Sequence, residues 1–418
     1  MSVHLGVIAD DITGACDVAG GVSQTGMPAE VRLGVPDVDD EPATSCVVVA
    51  LKSRAAIPDA AVAESVASAR ILRAWGATVI YQKYCSTFDS TDTGNIGPVA
   101  DALIDDWGSD AASVGTPATP AAHRTLYLGH LFVGDRLLSE SSVAQHPLTP
   151  MKDPDLIRVL ARQTSRPVGG VALEDVRAGA SAVRSRIAER REVGVRHLLV
   201  DATQESDLDV IADALIGSRD LIVGGAAGLA VAIARTVARA PASPAESPSA
   251  GGELILSGSG SERTREQVAA FRGPVMHVDP DEAVATPESV IGAAMAFVAR
   301  EPRALVSVTA APEAVAAAQR RWGSARAASA LETVLGRVAA LAVENLGIRR
   351  ILVAGGETSG AVAHALGVRR LRVRRVVSTG VPWMSAVDSG GRRLDLCFKS
   401  GNFGEKDLFE SAWAEGRE

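Results

Sequence analysis

The sequence predicts an α/β protein of two domains, each a mainly parallel sheet with flanking helices. Three observations carry that expectation. Apolar runs of strand length recur through the first half of the chain: HLGVIA, CVVVAL, TVIY, RTLYLG, RHLLVDA and DLIVGG. Alanine-rich amphipathic stretches lie between several of them, such as DAAVAESVASARILRAWG at 59–76, and strands alternating with helices imply βαβ units. The alternation then stops at RAPASPAESPSAGG, residues 239–252, where proline, serine, alanine and glycine leave no period. It resumes as ELIL, PVMHV, ALVSV, RILVAGG, RRVVSTG and LDLCF. The break reads as a linker and divides the chain into domains 1–238 and 252–418, with a linker at 239–251. Residues 108–124 read as a loop excursion within the first domain.

A length of 418 residues suits two or three domains, each with its own core. The net charge of −8 argues against non-specific nucleic-acid binding. No run reaches the roughly 18 apolar residues of a membrane span, and the first residues lack the basic start of a signal peptide. The four cysteines form no CxxC pair, which leaves neither a disulfide framework nor a zinc site to expect. Together these features predict a cytoplasmic protein with reduced thiols. Of the 42 basic residues only Lys52, Lys83, Lys152, Lys399 and Lys406 are lysines. A lysine kept in so arginine-rich a chain suggests a position wanting a compact ammonium.

In open parallel sheets, ligands bind beyond the carboxyl ends of the strands, so the residues after each run matter most. HLGVIADDITGACD reads as strand, turn and helix. Asp10 and Asp11 point opposite ways from an extended backbone: one suits accepting a substrate proton, the other a metal or a second hydroxyl. Capping of the following helix competes for one of them, with Thr13 as an alternative cap. CVVVALKSR places Arg54 at the next strand end, either as a bidentate clamp for a carboxylate or as a surface arginine. TVIY is followed by KYCSTFDSTDTGNIGP. There Lys83 offers charge, Ser86, Thr87, Ser90 and Thr91 offer hydroxyls for a polyhydroxylated ligand, and Gly94 and Gly97 allow close backbone approach. A helix is expected around Val99–Asp106. Farther on, His130 and His146 stand in a polar segment suited to substrate contact, a lid or a turn.

The second domain repeats the pattern of strand, glycine loop and helix three times. ELILSGSGSERTREQ carries Ser259. RILVAGGETSGAVAHALG carries Gly355, Gly356, Glu357, Thr358 and Ser359. LDLCFKSGNFGEKDLF carries Lys399, Gly401 and Gly404. Such loops aim main-chain N–H groups and helix N-termini at phosphate. GxxxxGK[ST] and the protein-kinase signatures are absent, as is GxGxxG from the first strand–helix turn. That weakens a nicotinamide-dependent sugar-acid dehydrogenase, one alternative. A non-enzymatic sugar-acid binding protein, the other, leaves the second domain's loops without a purpose.

Taken together, IADDITGACD, YQKYCSTFDST, TGNIGP, GSGSERTREQ, VAGGETSGAV and KSGNFG resemble the four-carbon acid sugar kinase family, over nearly the whole chain and in the family's order. GHLFVGDRLLSESSVAQHPLTPM resembles the 3-oxo-tetronate kinase branch more narrowly, while D-threonate and D-erythronate kinases share most of the motifs. The resemblance implies transfer of a phosphoryl group from ATP, with Mg²⁺, to the 4-hydroxyl of a four-carbon sugar acid in an interdomain cleft. It implies catalytic roles for Asp10, Asp11 and Lys83. Acid-sugar contacts are implied at Arg54, Ser86, Thr87, Ser90 and His130, and ATP contacts at Ser259, Gly355–Ser359, Lys399, Gly401 and Gly404. The partners expected are the sugar acid and ATP, with no nucleic acid and no membrane; a homodimer is left open.

Overall fold

The computed structural model describes residues 3–108, 110–141, 144, 150–238, 247–308 and 312–414. His146 and linker residues 239–246 lie outside the described residues. The chain divides into two compact units, Met1–Ser243 and Pro244–Glu418.

The first unit opens with β1 (Leu5–Ala9), α1 (Ile12–Gln24), β2 (Ala29–Leu33), β3 (Cys46–Ala50), α2 (Pro58–Ala74), β4 (Val79–Lys83) and α3 (Ile96–Trp107). After β5 (Ala112–Thr116) come three short strands, β6 (Arg124–Tyr127), β7 (His130–Val133) and β8 (Arg136–Leu137). The unit continues with α4 (Leu156–Ala161), β9 (Val168–Val171), α5 (Leu173–Arg177), α6 (Ala180–Glu192) and β10 (His197–Val200). It ends with α7 (Glu205–Leu215), β11 (Leu221–Gly225) and α8 (Ala227–Val237). Eight strands form a parallel sheet in the order β2-β3-β1-β4-β11-β5-β10-β9. Every residue of β1 and β3 is buried, as befits strands covered on both faces. One face packs Ile8, Val47, Val49 and Ile80 against Ala61, Leu72, Leu103 and Ile104 of α2 and α3.

Two sequence expectations are corrected here. Residues 112–116, read as part of a loop excursion, form β5 in the middle of the main sheet. ASVGT looks unlike a strand because the sheet needs small residues there: a side chain at Gly115 would run into the backbone of Gly224 on β11. RTLYLG, read as a strand of the main sheet, instead supplies β6 of a separate antiparallel sheet, β6-β7-β8. Its Leu126 is buried and its Tyr127 exposed, the pattern of a strand covered on one face only.

The second unit contains β12 (Gly252–Ser257), α9 (Glu262–Ala270), β13 (Val275–His277), α10 (Pro280–Ala285), α11 (Pro287–Val298) and β14 (Arg303–Ser307). Then come α12 (Pro312–Trp322), α13 (Ser324–Asn345), β15 (Ile348–Ala354) and α14 (Gly356–Ala365). It closes with β16 (Arg370–Ser378), β17 (Val381–Val387), β18 (Arg393–Lys399) and α15 (Leu408–Ser411). Strands β13-β14-β12-β15-β18 are parallel, and β17 and β16 extend the sheet antiparallel. Its core gathers Trp383, Phe409 and Trp413 around Ile255, Leu305 and Leu352. Both units are therefore α/β with a mainly parallel sheet.

Strand order locates the crevices. In the first unit the chain leaves β1 towards β2 on one side and leaves β4 towards β5 on the other. In the second it leaves β12 towards β13 and β15 towards β16, again in opposite directions. Adjacent strands whose connections diverge open a binding crevice at their carboxyl ends. The residues at these two places are Asp10, Asp11 and Lys83 in one unit and the 258 and 355 loops in the other.

Candidate active site

In the first unit three strand ends are tied together by the main chain. Asp10 N–H donates to Lys83 O at 3.2 Å, and the N–H groups of Ser53 and Arg54 donate to Asp10 O at 3.2 and 3.3 Å. The Arg54 guanidinium clamps both Asp10 oxygens, from Nε at 2.7 Å and Nη2 at 3.0 Å, and Nη2 also meets Asp11 Oδ2 at 3.1 Å. Asp11 is the N-cap of α1, with Gly14 N–H donating to Oδ1 at 2.7 Å; Thr13 Oγ1 donates to Oδ2 at 3.2 Å. The two carboxylates thus have different tasks, and the capping role falls to Asp11 rather than Thr13. Burial alone would push the Asp11 carboxyl up. The Arg54 guanidinium and the Lys83 ammonium outweigh it and hold the group below the ordinary carboxylate range. Arg54 is therefore neither an idle surface arginine nor an unoccupied clamp.

Lys83 is buried, and its Nζ donates to Tyr84 O at 2.8 Å. Its ammonium faces the first turn of α1. A methyl group at Gly14 would stand 3.0 Å from Nζ and 2.5 Å from Asp11 Oδ1, so glycine there keeps the lysine against the helix. One turn farther along the same face is Asp17, a residue to which no motif assigns a role. It is partly buried, and its side chain makes no hydrogen bond or ion pair with the described residues. Burial pushes its carboxyl up, against the pull of Lys83 and with a push from Asp11, to about 6. The sequence signals for it are its place at the end of IADDITGACD and its spacing from Asp11 and Gly14 on an expected helix.

The loop after β4 is rigidly built. Phe88 is fully buried, adopts φ 54°, and meets Tyr84 edge-on at 5.1 Å between ring centroids. Thr87 Oγ1 donates to Asp89 Oδ1 at 2.6 Å; Ser86 occupies the same turn. Gln163 donates from Nε2 to Ser90 Oγ and Thr91 O, both at 2.8 Å, and accepts from Gly97 N–H at 3.0 Å. Gly94 and Gly97 leave room for Ser90 and Gln163 respectively, so their tightness serves the loop rather than a ligand. Asp10, Arg54, Lys83 and Ser90 line one cavity. His130 is not among its walls: it lies on β7, with Nδ1 2.9 Å from Leu128 O.

In the second unit the three glycine loops follow the adjacent strands β12, β15 and β18 and converge. Gly258 N–H donates to Ala354 O, and Gly355 N–H to Lys399 O, both at 2.9 Å. A side chain at Gly258 would collide with Thr358 Oγ1, and one at Gly401 with Ser259 Oγ. Ser261 Oγ and Thr264 Oγ1 donate to Gly401 O at 2.7 and 2.9 Å. Gly355 (φ 123°) precedes α14 with no side-chain cap. The first-turn N–H groups of such a helix, from Gly356 on, suit an anion. Ser359 Oγ turns inward to Gly355 O at 2.7 Å, while Gly404 holds a left-handed turn at φ 83°. Glu357 begins the helix beside Gly356.

Lys399 departs from the phosphate contact expected of it. Its side chain is wholly buried, and Nζ lies 2.6 Å from Gln267 Oε1, 3.1 Å from Thr264 Oγ1 and 3.1 Å from Gly401 O. It fastens the 401 loop to α9. Burial pulls its pKa down to about 7. The unfolded chain, with a lysine near 10.4, holds a proton that the folded chain has lost between about pH 7 and 10. Stability is expected to rise with pH across that window, by up to about 1.4 kcal/mol per unit. Urea unfolding of wild type and Lys399→Met at pH 7, 8.5 and 10 checks this; equal slopes would refute it.

Among the described residues no group of three or more His, Cys, Asp or Glu side chains could hold a metal, and no helix is long and apolar enough to cross a membrane.

Comparison with known proteins assigns a family to each part. Residues 5–233 match the family model of the sugar-binding N-terminal domain, and residues 254–409 that of the nucleotide-binding C-terminal domain. A 3-oxo-tetronate kinase of Pseudomonas fluorescens is 44% identical over 98% of this chain and 96% of its own. One of Burkholderia multivorans is 43% identical over the same shares. Among solved structures, one from Salmonella typhimurium LT2, described as a tRNA synthase, superposes with a TM-score of 0.86 at 36% identity, covering 98% of both chains.

Proposed function

The chain belongs to the four-carbon acid sugar kinase family, and from that premise we propose that it is an ATP-dependent 3-oxo-tetronate kinase acting on the 4-hydroxyl. One observation carries the reading: its likeness to curated 3-oxo-tetronate kinases runs unbroken through both domains. A tRNA-directed activity has no such support, and the net charge of −8 opposes it. The reaction draws on ATP, which fits the cytoplasm.

The first unit holds the acid sugar, with Arg54 and Ser90 as contacts and Lys83 as the charge beside the reacting oxygen. The second unit holds the triphosphate at the 258, 355 and 401 loops, where α14 lends its uncapped N-terminus. Mg²⁺ bound with ATP would neutralise charge on the β- and γ-phosphates.

Asp10 and Asp11 already accept from Arg54, Gly14 and Thr13, and they serve to fix Arg54 and α1. The proton of the 4-hydroxyl passes instead to Asp17, whose carboxylate is unpaired among the described residues. The substrate oxygen attacks the γ-phosphorus in line, the bond to the β-phosphate oxygen breaks, and ADP leaves. Positioning and charge supply most of the rate.

Purified protein with ATP, Mg²⁺ and a panel of 3-oxo-tetronates, D-threonate and D-erythronate tests the assignment. ADP release is expected to be fastest with a 3-oxo-tetronate. A preference for D-threonate or D-erythronate would move the protein to a sister activity, and ADP release with none of the acids would refute the kinase.

A further inference from the structure

Two buried side-chain amides at the crevice of the first unit are held in the same unusual way. Gln82 Nε2 donates to Ile96 O at 3.0 Å. Asn95 Nδ2 donates to Ser53 O at 2.7 Å and to Ala56 O at 2.9 Å. Because main-chain carbonyls only accept, these bonds fix which end of each amide is nitrogen. The opposite ends, Gln82 Oε1 and Asn95 Oδ1, are buried and have no partner among the described residues. The residues are only 5% and 7% exposed. Both line the cavity that also reaches Asp10, Arg54, Lys83 and Ser90.

Buried acceptors without donors are costly, and native proteins rarely keep them. Two of them at one cavity call for a ligand that brings hydroxyl donors. A carboxylate or phosphate would be repelled by the same pair of oxygens, so charge recognition cannot be their task. Arg54 is engaged by Asp10 and Asp11, and the neighbouring Lys83 supplies the positive charge an acid needs. The cavity therefore divides the work, with the ammonium for the carboxylate and amide oxygens for the alcohols.

We propose that Gln82 and Asn95 form the hydroxyl-reading subsite of this pocket, accepting hydrogen bonds from the acid sugar and selecting hydroxylated over deoxy acids. The inference rests on the kinase reading for its substrate class and deepens it. The hydroxyl at C2 does not react, so it is free to donate throughout transfer. Both residues stand inside the YQKYCSTFDST and TGNIGP motifs, yet neither draws a role there, because amides carry no charge and each lies beside a louder neighbour, Lys83 or the glycines.

The test crosses substrate with variant. Wild type and Gln82→Met, similar in shape but lacking the amide, are assayed with a 3-oxo-tetronate and with its 2-deoxy counterpart, 4-hydroxy-3-oxobutanoate. Wild type is expected to favour the hydroxylated acid by about 100-fold in kcat/KM. Gln82→Met is expected to lose roughly 10-fold or more with that acid, chiefly through KM, and little with the deoxy acid. Equal losses on both acids would mean that Gln82 only supports the fold and would overturn the proposal while leaving the kinase intact. Calorimetric titration of the two acids into wild type and variant runs alongside and does not depend on turnover. If no acid is phosphorylated, the kinase reading fails by itself, and the binding difference between the acids still decides the subsite. A crystal structure with the acid bound elsewhere and only water between Oε1 and Oδ1 would also overturn it.

Discussion

Asp17→Asn is expected to lower turnover about 100- to 10,000-fold, the range a positioned general base supplies, while KM for ATP and for the acid sugar changes little. The asparagine keeps the shape of the side chain and its place on α1, but it cannot accept the proton. The pH profile separates this role from a structural one. In wild type, kcat/KM should fall as pH drops through about 6, because burial raises the Asp17 carboxyl to that value and its protonated form cannot act as a base. In Asp17→Asn the residual rate should lack that acid limb. Asp11→Asn provides the contrast: asparagine still caps α1 and loses only charge against Arg54 and Lys83. If Asp11→Asn proved far slower than Asp17→Asn, the proton would be passing to Asp11.

Much of this architecture is legible in the sequence, for identifiable reasons. The central strands are near-continuous apolar runs because parallel strands are buried on both faces, so LGVIA, CVVVA and LIVGG announce themselves. The loops after β4, β12, β15 and β18 stand out because glycine and hydroxyl residues cluster where strands end. What the sequence hides depends on pairing across the fold. ASVGT escapes recognition because packing against Gly224, 109 positions from Gly115, dictates its small residues. The engagement of Arg54 by two aspartates 44 and 43 residues earlier cannot be read from either segment alone. The same holds for Lys399: a lysine in a glycine loop suggests phosphate, and only the fold shows Gln267 and Thr264 of α9 waiting for it. Asp17, Gln82 and Asn95 stand out by a different test, since each leaves a side-chain oxygen without a protein partner among the described residues.

The largest expected loss of stability follows from Asp395→Ala in the second unit. Asp395 lies on β18, and its Oδ2 accepts from Arg374 Nη1 at 2.9 Å with both side chains about 1% exposed. The same carboxylate accepts from Ser249 N–H at 2.7 Å and Ser249 Oγ at 3.2 Å, which pins the start of the unit to its sheet. Breaking a buried ion pair by removing one partner costs about 3–5 kcal/mol. For a unit of this size that corresponds to a fall of roughly 10 °C in Tm, measurable by calorimetry or by the circular dichroism melt. The double variant Arg374→Met/Asp395→Leu should recover most of the loss, since a buried ion pair replaced by apolar groups of similar volume is often neutral. Recovery would show that the penalty comes from breaking the ion pair rather than from missing volume. Nucleotide affinity should follow the same order, because β18 runs directly into Lys399 and the Gly401 loop. A single variant as stable as wild type would mean that other contacts of Arg374 satisfy its charge, and the anchoring role assigned to Asp395 would fall.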